Sequence, residues 1–272
     1  MKTEDLNLVE LFSLFEGQRG FLKEKKESDP NWQSTRSPEG KFKLVEKDFP
    51  WGKRSVYVPN DPSHNQELQK SRGIPLTDND TNDEMKQKVL EYVKDTVESD
   101  HVRIKELDYV LKKAFPDRTL KGFCEIGFRI PRLQNFYRDQ GMVERGYDIN
   151  PFNVSLGKSL GFDCQFFDLN DTESEIDIKD FDLIVCYHVL EHVHDPFETL
   201  KMIHRSASPG TIFHLEIPVE PDGPRIKYGH LYPFFQDDMH KMLQLANFKL
   251  ISKSNETHKD GPWIERYTVM KG

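Results

Sequence analysis

Apolar and polar positions are arranged differently on the two sides of about residue 115. From Lys121 onward, short apolar runs alternate with stretches whose apolar residues recur at helical spacing. The runs predict strands at 122–126, 143–148, 164–168, 181–187, 211–217, 249–254 and 264–270. Helices are predicted between them at about 131–140, 152–160, 195–207 and 236–247. This alternation indicates an α/β, doubly wound Rossmann-like sheet with helices on both faces. Only "NETHKDGPW" separates the last two strands. They should therefore form a reversed hairpin, which brings an antiparallel strand into an otherwise parallel sheet.

The first 115 residues follow other rules. Leu6, Leu8, Val9, Leu11, Phe12, Leu14 and Phe15 are too dense for a solvated helix, so that segment should dock on something. Residues 30–80 are rich in Pro, Gly, Ser and Asn, with strand-like pieces at 41–46 and 55–58. They also hold Trp32, Trp51, Phe42, Phe49 and Tyr57, whereas disordered linkers are poor in aromatics. An ordered, irregular segment is expected, packed on the main domain or on a second chain. Residues 83–114 read as helical, interrupted near Asp100. The domain reading is thus a helical and irregular N-terminal extension over 1–115, and a sheet domain over 116–272. The extension would serve as a lid or as an oligomerisation segment, as in a homodimer.

Charge and cysteine content narrow the class. The 272 residues carry a net charge of -8, whereas nucleic-acid binders usually show a basic excess. No nucleic-acid partner is expected. The three cysteines, Cys124, Cys164 and Cys186, lie apart in apolar stretches and read as buried, reduced thiols. The acidic, interrupted N-terminus does not resemble a signal peptide, and no apolar run reaches the ~18 residues of a membrane span. A cytoplasmic location and no membrane partner are the expectations.

Ligands of open parallel sheets sit beyond the carboxyl ends of the strands. The first strand ends Glu125-Ile126-Gly127, the second Tyr147-Asp148-Ile149, the third Phe167-Asp168-Leu169-Asn170 and the fourth at His188. Gly127 allows close backbone approach to a ligand. Asp148 stands where a carboxylate can take ribose hydroxyls. Asp168 can accept from an adenine amino group. Either aspartate alone would read as a cap or turn former. Their joint placement at one sheet edge is what points to a nucleoside.

The stretch from Phe123 to Met270 resembles the class I S-adenosylmethionine-dependent methyltransferases. Two pieces carry the resemblance: "FDLIVCYHVLEHVHDPFETLKMIHRSASPGTIFHLEIPV" and "GHLYPFFQDDMHKMLQLANFKLIS". The second is similar to the small-molecule and glycan branch. The resemblance implies a seven-stranded sheet, S-adenosylmethionine as cofactor, and contacts from Glu125, Gly127, Arg129, Asp148, Ile149, Asp168, Leu169 and His188. The family loop, acidic-x-Gly-x-Gly-x-Gly, is altered here: Arg129 and Pro131 replace its second and third glycines. Pro131 can open a helix. Arg129 requires either a different loop shape or a strained residue, and its guanidinium suits the cofactor carboxylate.

Methyl transfer to oxygen needs a base, and histidine is poised for that near neutral pH. His192 and His230 are the catalytic candidates, with His188 bordering the cofactor and His194 nearby. "EHVHDP" invites a metal reading through Glu191, His192, His194 and Asp195. Asp195-Pro196 reads instead as a helix cap, and no metal is assigned. The expected activity is O-methylation of a sugar, sugar nucleotide or glycan. A methyltransferase acting on another small metabolite or a protein stays open, as does a non-catalytic binding module.

Overall fold

The computed structural model describes residues 40–70, 81–257 and 263–272. The apolar segment at 6–15 and Trp32 lie outside them. β1 (Phe42–Phe49) and β2 (Gly52–Pro59) form an antiparallel hairpin, and α1 (Pro62–Lys70) follows. The strand-like pieces read at 41–46 and 55–58 are thus halves of two eight-residue strands.

α2 spans Asn82–Ala114 without a break. A capping box between Thr81 and Glu84 starts it, and Lys112 and Lys113 complement the helix dipole at its end. The interruption expected near Asp100 is absent because its side chain is buried. Its carboxylate receives Arg103 at 3.4 Å and lies 3.7 Å from Arg132. A polar residue read as a solvated break is in fact paired inside the protein.

β3 (Gly122–Ile126), β4 (Val143–Asp148), β5 (Cys164–Phe166), β6 (Leu183–Tyr187), β7 (Ile212–Val219), β8 (Phe248–Thr257) and β9 (Trp263–Lys271) make the main sheet. Its order is β5-β4-β3-β6-β7-β9-β8. The first five strands are mutually parallel, and β9 runs antiparallel to both β7 and β8. α3 (Arg132–Arg138), α4 (Pro151–Ser159), α5 (Pro196–Ser206) and α6 (Asp238–Leu245) supply the covering layers. Strand alternation divides β6 between two cores. Leu183 and Val185 pack with Leu107 of α2 and Tyr137 of α3, whereas Ile184 and Cys186 join the larger cluster on the other face. The expected third strand stops two residues early, because Asp168 turns the chain by accepting from the backbone and side chain of Asn170.

The hairpin belongs to this packing. Trp51 and Val56 lie in the larger core cluster, and Trp51 Nε1 donates to the Tyr232 hydroxyl at 2.8 Å. Buried Arg54 pairs in a fork with Asp238 at the start of α6. Tyr57 N donates to Leu231 O, and Leu68 of α1 packs against Leu231 and Phe42. The N-terminal elements thereby fasten the connection that follows β7. Among the described residues no helix is long and apolar enough to cross a membrane.

Candidate active site

At the carboxyl ends of β3 to β6 lies a cleft, where ligands of open parallel sheets bind. Its walls include Gly127, Arg129, Asp148, Ile149, Asp168, Leu169, His188 and His192. Glu125 is absent from that lining. It is buried beneath the loop, with Asp100, Arg103 and Arg132 as its electrostatic neighbours. Burial first, then the Asp100 charge, pushes its carboxyl well above the usual range.

The loop after β3 is built from two left-handed residues. Gly127 has φ 78°, and a Cβ there would meet Val189 Cγ2 at 2.2 Å, so glycine is required twice over. Arg129 has φ 49°, a conformation that costs a non-glycine residue about 1–3 kcal/mol. Its backbone N–H donates to Asp148 Oδ2 at 3.1 Å, which explains what holds it there. Of the two options left by the altered loop, the strained residue is the one adopted. Pro131 stands as the N-cap of α3 rather than inside its first turn.

Asp148 closes β4 with its carboxylate buried. Oδ1 accepts from Asn150 N at 2.7 Å, and Oδ2 accepts from Arg129 N and from Asn153 Nδ2. Burial raises its pKa, and these donors oppose the rise. A carboxylate offers about four acceptor positions, so one remains on Oδ1 for a ligand.

His188 follows β6 with φ 53°. Its Nδ1 meets Glu191 Oε1 at 3.2 Å and its Nε2 meets Glu216 Oε1 at 2.9 Å. Burial alone would favour the neutral ring, but these two carboxylates outweigh it and raise the pKa to about 9. The ring is therefore an imidazolium at neutral pH. Glu216, buried on β7, also receives Arg103 and Arg266, and its pKa is held far below the carboxylate range despite burial.

The two catalytic candidates come together. The His192 and His230 rings stand 5.0 Å apart. His192 lies in the short turn Leu190–His192 after β6, with Nδ1 2.9 Å from Gly229 O. His230 lies on the connection after β7, with Nδ1 2.7 Å from Glu220 Oε1. His194 does not join them. Its N–H donates to Asn170, and burial lowers its pKa. Asp195 caps α5 through Glu198 N, as its place before Pro196 predicted.

Sequence reasoning missed several residues here. Asn65 of α1 lines the cleft from the N-terminal segment, and Asn153 and Phe167 line it from the sheet side. Glu216 left one signal, a carboxylate in the middle of the apolar run "IFHLEIPV". Glu191 was named only in the metal reading of "EHVHDP", not as a partner of His188.

The geometry suits a nucleoside cofactor: a glycine with no room for a Cβ, a carboxylate at the end of β4 with an acceptor position open, and a second carboxylate after β5. Comparison with known proteins agrees. A family model described as a methyltransferase domain matches residues 100–253, more than half of the chain. No curated protein sequence matches. Among solved structures, the chain is similar to an S-adenosylmethionine-dependent methyltransferase from Mesorhizobium loti, at 13% identity over 56% of this chain and 90% of that one, with a TM-score of 0.48. A counterpart from Clostridium acetobutylicum gives 13% identity, 61% and 90% coverage and a TM-score of 0.47. The [4+2]-cyclase SpnF gives 13% identity, 61% and 80% coverage and a TM-score of 0.48. From the matched domain, the strand order and the cleft at its carboxyl edge, the chain belongs to the class I S-adenosylmethionine-dependent methyltransferases, with S-adenosylmethionine as its cofactor.

Proposed function

We propose that this methyltransferase modifies an oxygen of a small, carbohydrate-bearing acceptor: a sugar, a sugar nucleotide or a glycan. The observation that carries the reading is the His192–His230 pair. His192 lines the cleft and His230 packs beside it from the connection after β7, with each ring oriented through Nδ1. When bound, S-adenosylmethionine supplies an electrophilic methyl on sulfur for in-line capture by the acceptor oxygen. Asp148 would take a ribose hydroxyl on Oδ1, and Asp168 the adenine amino group. Arg129, whose guanidinium suits a carboxylate, lines the same cleft, as does His188. The histidine pair orients the acceptor hydroxyl and takes up its proton, the part of a positioned general base.

A panel of tritiated-methyl assays tests this, offering nucleotide sugars, free glycans, phenolic metabolites and proteins with the full chain. Transfer to a carbohydrate oxygen is expected. Transfer only to a protein or a non-sugar metabolite would replace the acceptor. Cofactor binding with no transfer to any class would favour a binding module.

Two cofactor predictions accompany it. Asp148→Asn keeps the shape but loses the charge, and one of its new amide protons must face a donor. Affinity for S-adenosylhomocysteine should fall by ~2–3 kcal/mol, read by calorimetry, and unaltered affinity would remove Asp148 from the cofactor. Arg129→Gly relieves the left-handed strain and should raise stability by about 1 kcal/mol, yet weaken the same ligand. If the glycine variant binds more tightly, the guanidinium has no part in holding the carboxylate.

We also assign the 1–115 segment a lid role. Asn65 supports it, because α1 reaches the cleft while β1 and β2 fasten the segment carrying His230. Asn65→Ala should raise KM for acceptor or cofactor while leaving the unfolding midpoint nearly unchanged. Unchanged values of both KM would take α1 out of the site.

A further inference from the structure

We propose that Glu191, His192 and His230 form a binding site for a divalent transition-metal ion, of the Zn²⁺, Mn²⁺, Co²⁺ or Ni²⁺ class, beside the cleft where His192 lines it. The metal reading of "EHVHDP" also took in His194 and Asp195, but Asp195 caps α5 through Glu198 N and neither residue joins the group that the fold brings together. The fold replaces them with His230, 38 positions beyond His192. One donor atom from each of Glu191, His192 and His230 lies within 4.8 Å of the others, the one such group among the described residues. His192 Nε2 is 3.9 Å from Glu191 Oε1. Ligands about 2.1 Å from one ion stand roughly 3–3.5 Å apart, so side-chain rotations of about 1 Å would close the set.

Three independent features indicate a built site. The first is ring orientation. With Nδ1–H of His192 donated to Gly229 O and that of His230 to Glu220, the Nε2 lone pairs become the ligating ones. A carbonyl and a carboxylate behind ligating histidines are the usual way proteins fix the metal-binding tautomer. The second is an unpartnered carboxylate oxygen. Glu191 is 1% exposed, and its Oε2 has no hydrogen-bond partner although Oε1 engages His188. A buried carboxylate oxygen without a donor is costly, and a cation is the partner that removes the cost. The third is backbone support. Leu231 N and Tyr232 N both donate to the Glu191 carbonyl, at 2.7 and 3.1 Å. The two segments that carry the ligands are thereby locked at the point where the ligands meet. Two imidazoles and one carboxylate favour the metals named over Mg²⁺ or Ca²⁺, which prefer oxygen ligands.

The cation's role rests on the methyl-transfer reading; its binding does not. With the ion bound, the rings would be its ligands and no longer the base: an acceptor hydroxyl on the cation would lose its proton more readily, the proton passing to solvent.

The test uses the full chain, stripped with a chelator and titrated with Zn²⁺ and with Mn²⁺ by calorimetry, with Mn²⁺ also read by electron paramagnetic resonance. One ion per chain is expected. His192→Gln, His230→Gln and Glu191→Gln should each weaken binding at least tenfold. Glu220→Gln should weaken it about 10–100-fold through His230 alone. S-adenosylhomocysteine binding by the two histidine variants and by Glu220→Gln serves as the control that they are folded. Absence of stoichiometric binding, or equal binding by wild type and the folded variants, overturns the site. A chain that binds no ion but methylates a sugar would sink this inference and leave the proposed function standing, and cation-independent methylation by a chain that binds the ion would remove only the cation's catalytic role. A chain that binds the ion through these residues but methylates no sugar would do the reverse.

Discussion

His192→Ala and His230→Ala should each lower turnover by about 10²–10⁴, the span for a positioned acid–base or acceptor-orienting group, while leaving S-adenosylhomocysteine affinity intact. The contacts assigned to the cofactor come from the ends of β3, β4 and β5 and from His188, whereas the two rings face the connection after β7. A sugar hydroxyl is a weak nucleophile until its proton begins to leave, so removing the group that accepts or displaces that proton acts on the transition state. It should act little on ground-state cofactor binding. Residues that work as one unit are strongly non-additive. The double alanine variant should therefore be scarcely slower than the slower single variant. Steady-state kinetics beside calorimetry decide the matter. Full turnover in either single variant would remove that ring from the chemistry. Affinity falling in step with turnover would make the pair cofactor ligands instead.

The centre of the sheet was legible because Leu183–Tyr187 and Ile212–Val219 are buried on both faces and mostly apolar. Gly122–Ile126 and Val143–Asp148 were read to the residue. Errors arose where polar residues are paired internally. Asp100 appeared to interrupt a helix because its partners, Arg103 and Arg132, were not known to reach it. The third strand was drawn too long because Asp168 makes its turn with Asn170. The carboxyl edge of the sheet was legible too, since strand ends are fixed by topology, and seven of the eight residues expected at a cofactor line the cleft there. Glu125 was misplaced because strand alternation points it away from that cleft. The clamp on His188 was beyond sequence reasoning: Arg103 and Glu216 are 113 positions apart, and only the docking of α2 across the sheet joins them. The joining of His230 to Glu191 was hidden likewise, since it depends on two backbone hydrogen bonds from Leu231 and Tyr232.

Glu216→Ala should destabilise the protein by about 3–5 kcal/mol, the cost of breaking a buried ion pair by removing one partner. Glu216 is 1% exposed, and it receives Arg103, Arg266 and His188 at once. Arg266 has further partners in Glu106 and Glu256, and Arg103 has Asp100, so those guanidiniums keep part of their compensation. What they lose is the one carboxylate that joins α2, β7 and β9. The effect should therefore exceed that of Glu106→Ala, which removes a half-buried partner from the rim of the same network. His188 loses one of the two carboxylates that hold it charged, and burial then pulls its pKa down from about 9. Its left-handed backbone is anchored separately, by His188 N on Glu216 O, and this survives the substitution. The ring, not the loop, should be what moves. Chemical denaturation of wild type, Glu216→Ala and Glu216→Ala with Arg103→Met measures the cost, and the added Met should recover part of it, because it withdraws a buried charge whose main partner has gone. A loss below about 1 kcal/mol, the scale of an exposed pair, would mean that water reaches these groups and that the clamp is not what fixes α2 to the sheet.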